Sequence, residues 1–244
     1  MMSSPKATSA DCVLEIDSLC KDYPSFHLSS VTFSVPKGRI MGFVGRNGAG
    51  KTTTLKAALN LVHPSGGRVR YFGMDFAEHE AEIKRRIGFS GTGMRYFDRK
   101  KIKDIARITG SFYPDWDQDA WLGYLRQFEL DESKCPRELS EGMKVKFRLA
   151  MALSHHAELL ILDEPTSGLD PFARDDLTDL FLRLRSEGIA ILFSTHLITD
   201  LEKCADDITY IRGGVIRYSG SKEELAPDGE LEKRILAMEK EAAV

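Results

Sequence analysis

Cysteine is scarce in this 244-residue sequence, with four residues in all, and no two of them form a C-x-x-C pair. The six histidines are not clustered at the spacing of metal ligands either. These absences argue against a structural zinc site and against a disulfide framework. The thiol pattern is typical of a protein in a reducing compartment.

An excess of positive charge is also lacking, because 34 Lys and Arg residues stand against 37 Asp and Glu residues. We therefore expect no nucleic-acid partner. The longest apolar runs, LLIL and IAILF, are far too short to span a bilayer, and the start MMSSPKATSA has no apolar core of a secretion signal. Any membrane role is expected to depend on a partner, and residues 1–10 are expected to be disordered.

Short apolar runs and amphipathic helical patterns alternate along most of the chain, which predicts an α/β fold with a mainly parallel core sheet. The predicted strands are CVLEI (12–16), SSVTFSV (29–35), RIMGFV (39–44), RVRYFG (68–73), LLILDE (159–164), GIAILFSTH (188–196) and DITYIR (207–212). The predicted helices cover 51–61, 171–186, a short stretch from about 197, and a C-terminal segment within 227–244, with further helical periodicity over about 95–156.

The segment GRNGAGKT (45–52) fits the pattern G-x-x-x-x-G-K-[ST] and lies between a predicted strand and a predicted helix. Its glycines let several backbone N–H groups point at one anion, and the helix N-terminus adds its positive end. Lys51 can reach the β and γ phosphates of a nucleotide, and the Thr52 hydroxyl can ligate Mg²⁺. The expected phosphate-binding residues are Gly45, Arg46, Asn47, Gly48, Ala49, Gly50, Lys51, Thr52 and Thr53.

Two further strand ends carry polar groups, and ligands of a parallel sheet bind beyond such ends. The apolar run LLIL delivers Asp163 and Glu164 together. A carboxylate at a buried strand end is costly unless it lies near a cation, so Asp163 is a candidate Mg²⁺ ligand. Glu164 is placed to polarise an attacking water. His196, at the end of a third core strand, can donate a hydrogen bond to a γ-phosphate oxygen.

Two predicted helix starts complete the set. LSEG (139–142) places Ser140 and the backbone at Gly142 at a helix N-terminus, which suits an anion although the phosphate-binding loop already provides one such site. SGLDP (167–171) places Asp170 as an N-cap and Pro171 as the first helical residue, and we count Asp170 among the nucleotide-binding residues.

Taken in order, GRNGAGKTT, LSEGM, LLILDEP, SGLD and STH make nearly the whole chain resemble the nucleotide-binding subunit of an ABC transporter. The resemblance implies a single domain over 1–244, with an antiparallel β subdomain near the N-terminus and a helical subdomain over about 90–155. It implies Lys51 on phosphate, Thr52 and Asp163 at Mg²⁺, Glu164 on the attacking water and His196 on the γ-phosphate. It also implies that the aromatic ring of Tyr23, upstream of the loop, stacks on adenine.

The same resemblance implies that the LSEG turn serves a second copy, so that two subunits clamp two ATP molecules head to tail. The expected partners are a second copy or a homologous ATPase and an integral membrane permease, at the inner face of the cell membrane. The variant LSxGMKxK together with FYPDWD (112–117) resembles ATPases of bacterial exporters of drugs, peptide antibiotics or lipids.

Some residues depart from the family pattern. Glu141 replaces the usual second glycine of the turn, and Thr92 stands near a position that commonly carries glutamine. The run MRYFDRK (94–100) is a candidate docking surface for a permease helix. The alternatives left open are a soluble ABC-type ATPase without a permease and an ATP-dependent switch without turnover; an ordinary P-loop kinase or GTPase would leave the LSEG turn unexplained.

Overall fold

The computed structural model describes residues 11–91 and 97–241. Within these residues the chain forms two β-sheets and nine helices, together with one short 3-10 turn at Pro136–Glu138. The predictions made for residues 1–10 and for Thr92 lie outside the described residues. None of the helices in the described part of the chain is long and apolar enough to cross a bilayer.

The strands divide into a four-stranded antiparallel sheet and a six-stranded, mostly parallel sheet. The strands are β1 (Cys12–Tyr23), β2 (Phe26–Pro36), β3 (Ile40–Val44), β4 (Gly66–Tyr71), β5 (Met74–Asp75), β6 (Ile87–Ser90), β7 (Leu159–Asp163), β8 (Ala190–Thr195), β9 (Asp207–Arg212) and β10 (Val215–Ser221). The antiparallel sheet has the order β2-β1-β4-β5, and the second sheet has the order β10-β9-β3-β8-β7-β6. Only the β9–β10 hairpin runs antiparallel in the second sheet.

The helices occupy both the connections of the parallel sheet and a separate stretch in the middle of the chain. They are α1 (Lys51–Ala58), α2 (Phe76–Arg85), α3 (Ile102–Gly110), α4 (Gln118–Gln127), α5 (Glu141–Leu153), α6 (Pro171–Ser186), α7 (Ile198–Cys204), α8 (Lys222–Leu225) and α9 (Leu231–Glu241). Helices α3 to α5 fall between β6 and β7. The predicted fold class is thereby confirmed, while the division into subdomains stays a prediction.

The parallel sheet is covered on both faces, as the unalternated apolar sequence of its central strands requires. Successive residues of β3 enter different cores: Val44 packs in the cluster with helices α5, α6 and α9, and Phe43 packs in the cluster with the antiparallel sheet. The rings of Phe33 and Phe43 lie 5.4 Å apart and join the two sheets. Each residue of β3 is buried, so the strand ends in a fixed position before the phosphate-binding loop.

The strand order brings the predicted functional ends together. Strand β8 lies between β3 and β7, and the register pairs Val44 with Thr195 and Asp163 with Ser194. Because these strands are parallel, the segments that follow them emerge at one edge of the sheet.

Some element boundaries differ from the sequence prediction. Helix α1 ends at Ala58 rather than at 61, because Asn60 adopts a left-handed backbone conformation with φ of 53°. Strand β1 continues to Tyr23, well beyond the predicted end at residue 16. Helix α6, in contrast, covers the residues predicted for it.

Candidate functional site

The phosphate-binding loop leaves β3 at Gly45 and enters α1 at Lys51. Gly48 and Gly50 have φ of 81° and 113°, in the region that favours glycine. Gly45 is needed for a different reason, since a Cβ there would lie 2.4 Å from the carbonyl oxygen of Ile211 on β9. The loop is thus curled at its centre and pressed against the sheet at its start.

Lys51 lies inside the loop, and its side chain is only 5% exposed. Its Nζ donates to the carbonyl oxygen of Gly45 at 2.7 Å and lies 3.1 Å from Oε1 of Glu164. A buried ammonium group is stable only with such partners. The structure therefore brings Lys51 and Glu164 together, as the parallel strand ends predict.

Thr52 and Asp163 form the pair predicted at Mg²⁺. The Thr52 hydroxyl donates to the Asp163 carboxylate at 2.9 and 3.0 Å, and Asp163 is buried. Hydroxyl and carboxylate oxygens are the ligand types that Mg²⁺ takes, and it usually binds through one or two protein groups plus phosphates and water. The two residues fit this ion.

Glu164 follows the buried strand in a left-handed conformation, with φ of 53°. Its backbone N–H donates to the Ser194 hydroxyl at 3.0 Å, and that hydroxyl donates to Asp163 Oδ1 at 2.7 Å. One serine on the neighbouring strand therefore holds both acidic residues. Sequence reasoning missed Ser194, although its place two residues before His196 at a strand end is a usable signal.

His196 lies beside Glu164, with Nδ1 and Glu164 Oε2 2.8 Å apart. Its side chain is 40% exposed, whereas that of Glu164 is 14% exposed. The ring thus reaches the carboxylate while part of it stays open to a ligand. Lys51, Glu164 and His196 form one connected cluster, which can place a cation, a base and an imidazole around a phosphate and a water.

The LSEG turn has the local geometry of a helix start. Ser140 is the N-cap of α5, and its hydroxyl accepts from the backbone N–H of Met143 at 3.2 Å. Glu141, the departure from the family pattern, pairs with Lys144 at 2.7 Å and is exposed. No hydrogen bond or ion pair between described residues joins Ser140 or Gly142 to the phosphate-binding loop of the same chain.

Asp170 caps α6, accepting from the N–H groups of Phe172 and Ala173 at 3.0 Å, and Pro171 begins the helix. A Cβ placed on Gly142 would lie 3.6 Å from Cβ of Ala173. The LSEG turn and the SGLD turn are therefore neighbours, and no hydrogen bond or ion pair of the described residues joins either of them to Lys51.

Two aromatic residues lie at the hairpin between β1 and β2. Tyr23 is 38% exposed, and Nζ of Lys21 lies 5.3 Å from its ring centre. Phe26 comes close to the loop, since a Cβ on Gly50 would lie 2.9 Å from its ring. The hairpin thus presents an open aromatic ring, as stacking on a base requires, and Phe26 is a neighbour of the loop that sequence reasoning did not identify.

A cavity of about 1010 Å³ opens beside the loop. Its lining includes Asn47 and His196 together with residues of α9. Helix α9 is fixed there by Glu239, whose Oε1 accepts from Tyr210 at 2.6 Å. Burial, followed by this hydrogen bond, raises the pKa of Tyr210 far above its usual range, so it stays a neutral donor.

A glycine-rich loop on a central parallel strand, with a buried lysine, a Thr–Asp pair and a glutamate at the next strand ends, defines the class of P-loop nucleoside triphosphatases. Comparison with known proteins narrows the class. The family model described as "ABC transporter" matches residues 28–167, more than half of the chain, and the chain belongs to this family. It is an ATP-binding subunit of the ABC type and an ATPase.

Relatives of known annotation agree with this assignment. The chain is 34% identical over 206 residues to the bacitracin transport ATP-binding protein BcrA of Bacillus licheniformis, covering 83% of this chain and 67% of that protein. It is 33% identical over 203 residues to the ABC transporter ATP-binding protein NatA of Bacillus subtilis, covering 80% and 82%. A solved ATP-binding subunit of an ABC transporter superposes with a TM-score of 0.81 at 25% identity, covering 92% of this chain and 98% of that one.

Proposed function

We propose that this ATPase dimerises around two ATP molecules, head to tail, and powers a membrane permease that acts as an exporter. One observation supports the proposal. Lys51, Glu164 and His196 contact one another at the strand ends, while no hydrogen bond or ion pair between described residues joins Ser140, at the anion-ready helix start, to them. A second copy facing the first would use both surfaces at once.

The proposed chemistry follows from the contacts of these side chains. Lys51 binds phosphate oxygens, and Glu164 accepts a proton from the attacking water. His196 donates to the γ-phosphate and keeps Glu164 oriented. Thr52 and Asp163 hold Mg²⁺, which neutralises phosphate charge when it is bound. Tyr23 stacks on adenine, and Ser140, Gly142 and Asp170 act from the opposite subunit.

The other partner is proposed to dock in a groove of about 360 Å³ lined by the segment after α1 and by residues of α2, β6, α3 and α5. Its lining is mainly apolar, including Phe89, Tyr113 and Leu61, whose side chain is 52% exposed. Such a groove fits an amphipathic helix of a permease. Met94, Arg95 and Tyr96 of the run MRYFDRK lie outside the described residues, so the docking role of that run stays a prediction.

Export is proposed because the sequence resembles exporter ATPases and because one relative is named for bacitracin transport. The subunit would then work at the inner face of the membrane, attached through its permease.

The experiment that tests the dimer is size-exclusion chromatography of Glu164→Gln with Mg-ATP. Loss of the base is expected to stop hydrolysis and leave a nucleotide-bound dimer. Adding Ser140→Arg to this variant is expected to restore the monomer, because a long charged side chain blocks the turn. Ser186→Arg, at an exposed serine ending α6, is the matched control and should leave the dimer intact. A Glu164→Gln protein that stays monomeric, or a dimer unaffected by Ser140→Arg, would refute the head-to-tail arrangement.

A further inference from the structure

An ion pair between a buried carboxylate and a half-buried guanidinium lies next to the hydrolytic cluster and has no part in the chemistry above. Asp200, in the first turn of α7, is 2% exposed, and its Oδ1 lies 3.8 Å from Nε of Arg174 on α6. A carboxylate so completely removed from water is unfavourable without a cation nearby. An apolar pair at these two positions would be desolvated at a lower free-energy cost. We therefore expect the Asp200–Arg174 pair to have a role other than stabilising the fold.

Asp200 reaches the turn that carries His196. Its Oδ2 accepts from the Thr195 hydroxyl at 3.5 Å, and the same hydroxyl oxygen accepts from the backbone N–H of Leu197 at 3.0 Å. The residues on both sides of His196 are thus joined through one hydroxyl, and Asp200 orients that hydroxyl. The ring of His196 contacts Glu164, so the orientation is passed on to the proposed base.

Arg174 reaches the other turn of the site. Its Nη2 donates to the carbonyl oxygen of Leu169 at 3.4 Å, one residue before the cap of α6. The segment from Glu164 to Leu169 connects β7 to α6, so Arg174 links the turn after Glu164 to the turn around His196. These two turns follow neighbouring parallel strands and share no other side-chain ion pair among the described residues than Glu164 with His196.

Two buried polar atoms in the same region have no hydrogen-bond partner within the described chain. They are Nε of Arg174 and Oγ1 of Thr166. Buried donors without partners are rare and costly. The nearest carboxylate oxygen to Arg174 Nε is that of Asp200, at 3.8 Å, so a movement of less than about 1 Å would complete this hydrogen bond.

We propose that Arg174 is a positioning residue for ATP hydrolysis: with Asp200 it holds the His196 turn and the Glu164–Leu169 turn in the relative position that the reaction needs. The inference rests on the proposed roles of Glu164 and His196. It does not depend on dimerisation or on the permease. The pair acts only through these two turns.

Arg174→Gln is the first test, with ATPase kinetics on the purified full chain. We expect kcat to fall by about tenfold or more, because small misplacements of reacting groups are expensive, while KM for ATP stays within about twofold because Lys51 and the loop are unchanged. The matched control is Arg185→Gln, which breaks another Arg–Asp pair at the far end of α6, with Asp206. It should leave kcat unchanged. Equal losses in both variants, or an unchanged kcat in Arg174→Gln, would overturn the proposal.

The double variant Arg174→Gln with Asp200→Asn separates positioning from stability. It leaves no buried charge without a partner, so the unfolding temperature is expected to recover relative to Arg174→Gln. The rate is not expected to recover. A double variant with wild-type kcat would show that Arg174 only balances a buried charge.

If Arg174→Gln fails to fold, Asp200→Asn replaces it as the test, because asparagine keeps the shape of the side chain. This variant must show the same loss of kcat, and a wild-type rate overturns the proposal.

The histidine ring provides a spectroscopic readout. The ¹H–¹⁵N ring signal of His196, assigned by its loss in His196→Gln, is expected to shift in Arg174→Gln and to stay in place in Arg185→Gln. An unmoved signal would contradict the proposal.

Glu164→Gln serves as the reference for the proposed chemistry. If this variant keeps the wild-type ATPase rate, the proposed role of Glu164 is wrong. If it is inactive while Arg174→Gln is fully active, only the inference about Arg174 is refuted.

Discussion

Replacing Gly45 by alanine is expected to damage both stability and ATP binding, although it adds a single methyl group. The new Cβ would lie 2.4 Å from the carbonyl oxygen of Ile211 and 3.2 Å from Cβ of Ala49. The Ile211 carbonyl belongs to β9, which is paired with β3 through Val44 and Tyr210. Because the sheet cannot give way, the start of the loop has to move.

The magnitude follows from the contact. Overpacking of this kind costs about 1–3 kcal/mol, and each kcal/mol lowers the unfolding temperature of a domain of this size by about 2–4 °C. The loss of thermal stability is therefore about 2–12 °C. The carbonyl oxygen of Gly45 accepts from Lys51 Nζ at 2.7 Å, so a displaced loop also displaces the lysine. A fall in kcat/KM of about a hundredfold is expected.

The assay combines thermal unfolding with steady-state ATPase kinetics and the binding of a fluorescent ATP analogue. Gly188→Ala is the control, because Gly188 has φ of 90° and no atom within 4 Å of its added Cβ, and it lies between α6 and β8. It should lose about 1–2 kcal/mol from backbone strain and bind the analogue normally. Normal binding by Gly45→Ala would refute the claim that the β9 contact fixes the loop.

Two further predictions concern the groove and the effect of pH. Leu61→Glu is expected to weaken copurification with the coexpressed permease by placing a charge in the apolar groove, while ATP hydrolysis by the isolated subunit stays unchanged; full copurification would contradict the docking site. Burial lowers the pKa of His155, whose ring stacks on Tyr113 with 3.9 Å between centroids. The unfolded chain therefore binds a proton first, and stability falls as the pH drops below about 6.5, by up to about 1.4 kcal/mol per pH unit. Urea midpoints should show this dependence flattened in His155→Phe, and an unchanged dependence would show that other groups cause it.

Sequence could predict those parts of the fold in which the local residue pattern agrees with the packing of the segment in the tertiary structure. Strands β3, β7 and β8 are buried throughout and mainly apolar because both sheet faces are covered, and Pro171 after Asp170 marks the start of α6 without ambiguity. The same agreement applies to the glycine-rich loop, where the chemistry of the ligand dictates the residue types. Thus the layout of the candidate site followed from strand ends alone.

The parts that sequence could not predict depend on close packing between distant segments. Strand β6 escaped detection because Gly88 weakens the strand pattern, yet a Cβ at Gly88 would lie 2.5 Å from Cβ of Ala152 on α5, so only glycine fits. The left-handed backbone of Glu164 has no local signature either. Its N–H donates to the hydroxyl of Ser194, which lies thirty residues further along the chain, and such a contact requires the register of β7 and β8.

The sequence separation between Thr52 and Asp163, 111 residues, has a consequence for biosynthesis. The phosphate-binding loop cannot contact Asp163 and Glu164 until most of the polypeptide has left the ribosome. Strand β9, whose Ile211 carbonyl lies against Gly45, is synthesised later still. Nucleotide therefore cannot template the early stages of folding, and nucleotide binding indicates that β9, the last parallel strand, has joined the sheet.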